Sequence, residues 1–596
     1  MRTYIKIMLS AILMVTTLWG QTPYEGRGSY YERRKGVHSG NRIRTTFFNY
    51  GLVGRISPAE DYGGEWPINS GHEYIGDVSI MVGAEVPITV QVIDTIIGND
   101  TLYRDSIVYI HSVEVADGPR GNNEYSPDRT TFWGWEPIPG YANPDTDLIA
   151  MSHIPESWPP FWPDRMDHPD DPGWPGAWNG YFGKNVMNAD QESYYVMDDN
   201  SDEEFPFYPD SSDSTRRGVG LRVGVRGFQW SHPLAQDCIF WHFDITNVGT
   251  SVLHKVVFGM IWGGIVGGDG DSHDDMADFI REDRVVYCYD YDGIGNTGWT
   301  PVGYAGSAFL ETPGDPWNGI FERTVITMPD TGVLMRFRTD TIRIMPGDTV
   351  EEDPHNRFDD NLNGLIDENI NLHLGYKYIN WLTGEGFDNP LIDERRDDGI
   401  DNDGDWDPLT DDVGADGLPG TSDYGEGDGI PTPGEPDFDA TDKDESDQIG
   451  LTSFYFFHPF NKVKLRNDEQ LWGCLQPGYF SKIELPPGGA DGDFIWGSGY
   501  FSLKPGQTER FSIAILFGEN REAIVRTTRT VQQIYNWNYR FAKAPELPTV
   551  KAVAGDRKVI LYWDDRAEHS YDPMTGYDFE GYKIYKATWP TWEDAG

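Results

Sequence analysis

The sequence predicts a mainly β protein, made of antiparallel β-sandwich modules with an acidic, loop-rich insert and one amphipathic helix. Three observations carry that expectation. Apolar residues alternate with polar ones along several short runs, the period of two found where one face of a sheet is buried. The 68 glycines and 40 prolines among 596 residues supply the turns that many short strands need. Charge is concentrated: residues 351–447 hold 30 carboxylates against five basic residues, half of a net charge of −50.

That charge also bounds function. With 97 acidic and 47 basic residues, nucleic acid is excluded as a partner, because binding a polyanion needs Lys and Arg to displace its counterions. An anionic membrane surface is disfavoured on the same ground. A content of 38% hydrophobic and 14% aromatic residues supports folded units rather than general disorder, and the length calls for several of them.

Residues 1–20 read as an export signal. Arg2 and Lys6 form a basic start, residues 7–19 are almost wholly apolar, and Gly20 offers a cleavage point. The apolar run is shorter than the roughly 20 residues of a membrane span, so the mature chain is expected to carry no transmembrane anchor and to lie outside the cell or on its outer surface. Residues 21–130 are expected to form an N-terminal β unit, from the apolar runs at 78–82, 86–93 and 106–113. Across 131–215 the alternation fails, and Trp133, Trp135, Trp158, Trp162, Trp174 and Trp178 sit among prolines that break helix and central strand alike. Two readings apply to this excursion: indoles packed onto a sheet, or exposed rings that stack on sugars.

The clearest alternation follows. Val219, Leu221, Val223 and Val225 form one run, and Ile239, Trp241, Phe243 and Ile245 a second. Past the turn Lys504-Pro505-Gly506, Phe511, Ile513, Ile515 and Phe517 form another. Each flank alone has limited apolar surface, so 216–345 and 451–518 are expected to build one sandwich around the insert at 346–450. The helix is expected at 519–541, where Ile524, Val525, Val531, Ile534, Tyr535 and Phe541 recur near helical spacing, followed by a linker to 547 and a last β module at 548–596.

The insert carries the chemistry. Asp359, Asn361, Asn363 and Gly364 match the pattern D-x-(D/N)-x-(D/N)-G, in which alternate oxygens converge on one cation and glycine permits the turn, with Asp367 and Glu368 as later carboxylates. Asp401, Asp403, Asp405 and Asp407 repeat the alternation, with Trp406 in place of the glycine and Asp412 at the twelfth position. Hard oxygen ligands without Cys or His partners point to calcium as the cofactor. Two lesser acidic spots lie outside the insert. Gly268-Asp269-Gly270-Asp271, with His273, Asp274 and Asp275, is similar to one turn of a glycine-aspartate roll, and Asp290-Tyr291-Asp292-Gly293 reads as a hairpin turn. Cys238, Cys288 and Cys474 are too scattered for a thiolate metal site or a C-x-x-C motif. No zinc-protease, nucleophile-elbow or phosphate-loop signature occurs, so no catalytic residue is assigned.

The loops at about 355–412 resemble thrombospondin type 3 and related extracellular calcium repeats. Pro548, Ala552, Gly555, Val559, Leu561 and Trp563, with Gly581-Tyr582-Lys583-Ile584-Tyr585, resemble the opening strands of a fibronectin type III module, cut about half way through at Gly596. The arrangement is similar to secreted or surface proteins of Gram-negative bacteria carried by the type IX route. The resemblance implies a calcium-stabilised, non-enzymatic scaffold for adhesion or extracellular assembly, with a surface or matrix protein or a glycan as partner. The alternative is an exported carbohydrate-binding or polysaccharide-degrading protein.

Overall fold

The computed structural model describes residues 26–313 with short gaps, separate pieces between 323 and 438, residues 449–536 with gaps at 458–462 and 482–491, and pieces of 538–584. The export signal lies outside the described residues. In chain order the strands of the body are β1 (Lys35–His38), β2 (Thr45–Phe48), β3 (Leu52–Gly54), β4 (Ile75–Ile97), β5 (Asp100–Val115), β6 (Glu136–Pro137), β7 (Ala150–Met151), β8 (Gln191–Asp198), β9 (Leu221–Gln229), β10 (Cys238–Asn247), β11 (Leu253–Gly264), β12 (Asp275–Ile280), β13 (Val285–Asp290), β14 (Tyr304–Glu311), β15 (Ser453–Phe457), β16 (Asp493–Leu503) and β17 (Thr508–Gly518). Helix α1 spans Asp468–Leu475 and α2 spans Arg521–Asn536.

These strands make two antiparallel sheets. One runs β1-β2-β3-β4-β11-β16-β15, with β5 on β4; the other runs β12-β13-β14-β17-β10-β9-β8-β6, with β7 on β8. Their facing sides share one core. Leu221, Val223 and Val225 are fully buried between half-buried Arg222 and Gly224, as the alternation predicts. In the pairing of β10 with β17, Trp241 lies opposite Ile513 and Phe243 opposite Phe511. Phe511 stacks on Phe258 of β11 with centroids 4.2 Å apart, which joins the sheets ring to ring.

Each sheet carries a helix on its outer face, giving four layers. Leu471, Trp472 and Leu475 of α1 pack with Met81, Val257 and Ile495, and Ile524, Val531 and Ile534 of α2 pack with Phe240, Leu516 and Val285. Asn520 caps α2 by accepting from the Ala523 N–H at 2.9 Å. The helix stops at Asn536, short of the expected 541, and Asn538 and Tyr539 beyond it take left-handed φ of 50° and 57°. Helix α1 was not expected. The strands of residues 21–130 have no core of their own, since β4 pairs along β11 from Ile75 to Ala84.

The Trp-rich excursion closes the far end of the second sheet. Trp162 and Trp178 are fully buried against Tyr194 and Val196 of β8, and their indole N–H groups donate to the Ala177 carbonyl at 2.8 Å and to Glu192 at 2.9 Å. Trp135 is in the central core, while Trp133, Trp158 and Trp174 are half-buried.

The chain leaves the body after β14 and returns before β15 through a closed neck. The Ile449 N–H donates to the Pro313 carbonyl at 3.0 Å, and the Gly450 N–H to the Thr312 hydroxyl at 2.8 Å. Near the C-terminus, Val550–Gly555 and Lys558–Trp563 form a two-stranded hairpin exposed along both strands. Ile560 and Tyr562 lie on it, but Ile584 is in no strand and Tyr585 lies outside the described residues. Cys238, Cys288 and Cys474 are buried free thiols. Among the described residues no helix is long and apolar enough to cross a membrane.

Candidate metal centre

Hairpin closure between β12 and β13 sets Asp275, the first residue of one strand, opposite Asp290, the last residue of the other. The chain reaches β12 from β11 through a glycine-rich loop that ends in a short turn at Ser272–Asp274. Asp271, Asp274 and Asp290 thereby converge, each offering an oxygen within 4.8 Å of the others. The two acidic spots, separate in the sequence, are one constellation in the fold.

Like charges this close repel, so the bonding around them matters. Asp290 Oδ1 accepts from the Gly293 N–H, and Asp275 Oδ2 accepts from the Val266 N–H at 3.0 Å. Oδ2 of Asp290 and Oδ2 of Asp271 are enclosed and have no hydrogen-bond partner. Asp290 and Asp274 are each only 8% exposed. Arg55, the nearby guanidinium, pairs with Glu73 and Asp269. Burial, followed by the close approach and charge of Asp290, pushes the Asp271 carboxyl up to about 6; burial and Asp290 also raise Asp274, against the opposing effect of His273.

Gly267 completes the cradle. Its φ is +89°, and a Cβ built there would fall 2.2 Å from Asp271 Oδ2 and 2.8 Å from Asp290 Oδ2. Space that any other residue would fill is thus left beside the two unpaired oxygens. Three carboxylate oxygens within 4.8 Å of one another can share one cation, and hard all-oxygen donors from flexible loops are the ligands that calcium takes. The donor set therefore fits calcium, with water completing the shell.

Of the residues predicted from sequence, Asp359, Asn361, Asn363, Asp367, Glu368, Asp401, Asp403 and Asp405 lie outside the described residues. Asp407 and Asp412 are described and organise local turns. Asp407 Oδ1 accepts from the Leu409 N–H at 2.9 Å, and Asp412 accepts from the N–H groups of Gly427 and Gly429 at 2.7 and 2.6 Å. Glu435, one of the acidic residues that continue the insert beyond the two loops, is buried beside them and accepts from the Gly414 and Thr432 N–H groups and the Trp406 indole.

One serine–histidine contact has the spacing of a nucleophile and its base. His38 Nε2 lies 3.0 Å from Ser193 Oγ, but both residues are fully buried and His38 Nδ1 has no partner, so the acid that would orient the ring is missing. It is a polar pair of the core. No protein-family model matches the chain, and no curated protein is significantly similar to it.

Proposed function

We propose that the protein is an exported, calcium-stabilised β scaffold for adhesion or extracellular assembly, and not an enzyme. The observation that carries this reading is the convergence of Asp271, Asp274 and Asp290 around Gly267 with two enclosed, unpaired carboxylate oxygens. Such a site costs folding energy without a cation and returns it with one. The acidic loops at 359–368 and 401–412 add oxygen donors of the same chemistry. Against the carbohydrate alternative, which needs exposed coplanar indoles, all six tryptophans of the 131–215 excursion are buried or half-buried.

Thermal unfolding of the whole chain in calcium and in chelator tests the reading. A hundredfold excess of calcium over the dissociation constant of one site adds about 2.7 kcal/mol. Asp290→Asn should remove part of the calcium-induced rise in Tm. A wild-type Tm indifferent to chelator overturns the proposal, and hydrolysis or binding in a glycan screen would favour the alternative.

A further inference from the structure

A second carboxylate group is assembled from parts of the chain that no sequence window joins. Glu114 lies in the buried part of β5, Glu124 follows that strand, Asp202 and Glu204 lie in the turn after β8, and Asp468 opens α1. Glu124, Glu204 and Asp468 each place one oxygen within 4.8 Å of the others. Glu114 accepts from the Ser112 hydroxyl at 3.1 Å, and Asp202 accepts from the Glu204 N–H at 2.8 Å. Asp199 is already held by the N–H groups of Val219, Gly220 and Leu221.

Asp468 separates this group from an ordinary acidic patch. It is 7% exposed; Oδ2 accepts from the Val113 N–H at 3.0 Å, while Oδ1 is enclosed and has no hydrogen-bond partner. Its neighbours are Glu204, Glu124 and Asp202, and the positive group facing Glu124 is the exposed Arg466. Burial, followed by these like charges, pushes Asp468 up to about 9, Glu204 to about 8 and Glu124 to about 7. Two agents relieve such crowding: protons or a divalent cation. The convergence of three carboxylate oxygens on one point, with Asp468 Oδ1 enclosed and unpartnered, favours the cation, and hard all-oxygen donors favour calcium among cations.

We propose that Glu124, Glu204 and Asp468 hold one divalent cation, separate from the Asp271 site, that fastens α1 to β5 and to the turn after β8. The ion acts as a cross-link between segments remote in sequence, and it fixes the helix that covers the outer face of the first sheet.

Equilibrium dialysis of the full chain against calcium chloride, with metal analysis, decides the matter. Glu204→Gln alters an exposed side chain and Asp468→Asn keeps the acceptor for Val113, so both variants should retain the fold, which far-UV circular dichroism checks. Each should bind one calcium fewer per chain than wild type. Asp290→Asn should lose a different one, and Glu204→Gln with Asp290→Asn should lose two. If Asp468→Asn fails to fold, Glu204→Gln decides alone. Unchanged stoichiometry in Glu204→Gln overturns the second site and assigns the group to shared protons. That result leaves the Asp271 site standing if Asp290→Asn still loses its ion.

Discussion

Gly267 and Gly270 stand three residues apart in one loop with nearly equal φ, +89° and +86°, yet only Gly267 faces carboxylates; a Cβ on Gly270 meets nothing within 4 Å. Alanine at either position costs the strain of a left-handed residue, about 1 kcal/mol. Gly267→Ala should in addition abolish the calcium increment at the Asp271 site, whereas Gly270→Ala should keep it; calcium titrations followed by Tm separate the two. His38 gives a second residue-scale prediction. Burial, with a smaller effect from His153, depresses its pKa from 6.5 to about 3. The folded ring stays neutral while the unfolded one protonates, so stability is full above pH 6.5 and falls as pH drops from there toward 3. The loss is on the order of 4 kcal/mol over the whole window. His38→Gln, which can still bond Ser193, should flatten the pH dependence of urea midpoints in that interval.

At the scale of elements, legibility followed from how many faces are covered. Strand β9 declared itself because its first half alternates between core and half-exposed positions. Strand β8 did not, since seven of its eight residues are buried between the core and the Trp-rich cover, and two covered faces erase the period of two. Helix α1, with eight residues, is little more than two turns, too short for its apolar spacing to stand out. The metal constellation was hidden differently. Its residue types were visible, but their partnership depends on the β12–β13 register, which places position 275 opposite 290. Helix α2 was legible because Ile524, Val531 and Ile534 keep one face over about three turns. Ile534 is 2% exposed, and Ile534→Ala should cost about 2–5 kcal/mol in a denaturant melt. A loss below 1 kcal/mol would show the helix to be loosely docked.

For the whole molecule, the neck at Thr312–Pro313 and Ile449–Gly450 makes the intervening segment a closed excursion. Replacing residues 314–448 with a short Gly/Ser linker should therefore leave both sheets intact, with a cooperative calorimetric transition and a Tm within a few degrees of wild type, because loop-closure entropy varies only with the logarithm of length. Loss of the cooperative transition would place part of that segment in the core. The position of β17 has a consequence in time. It lies between β14 and β10, which have no direct contact as sheet neighbours, so the second sheet exists as two open halves until residue 518 is made. At about 5–20 residues per second of synthesis, β14 waits on the order of ten to forty seconds for its neighbour. Completion of the second sheet consequently waits on β17, and the facing edges of β10 and β14 must stay soluble without that partner until it arrives.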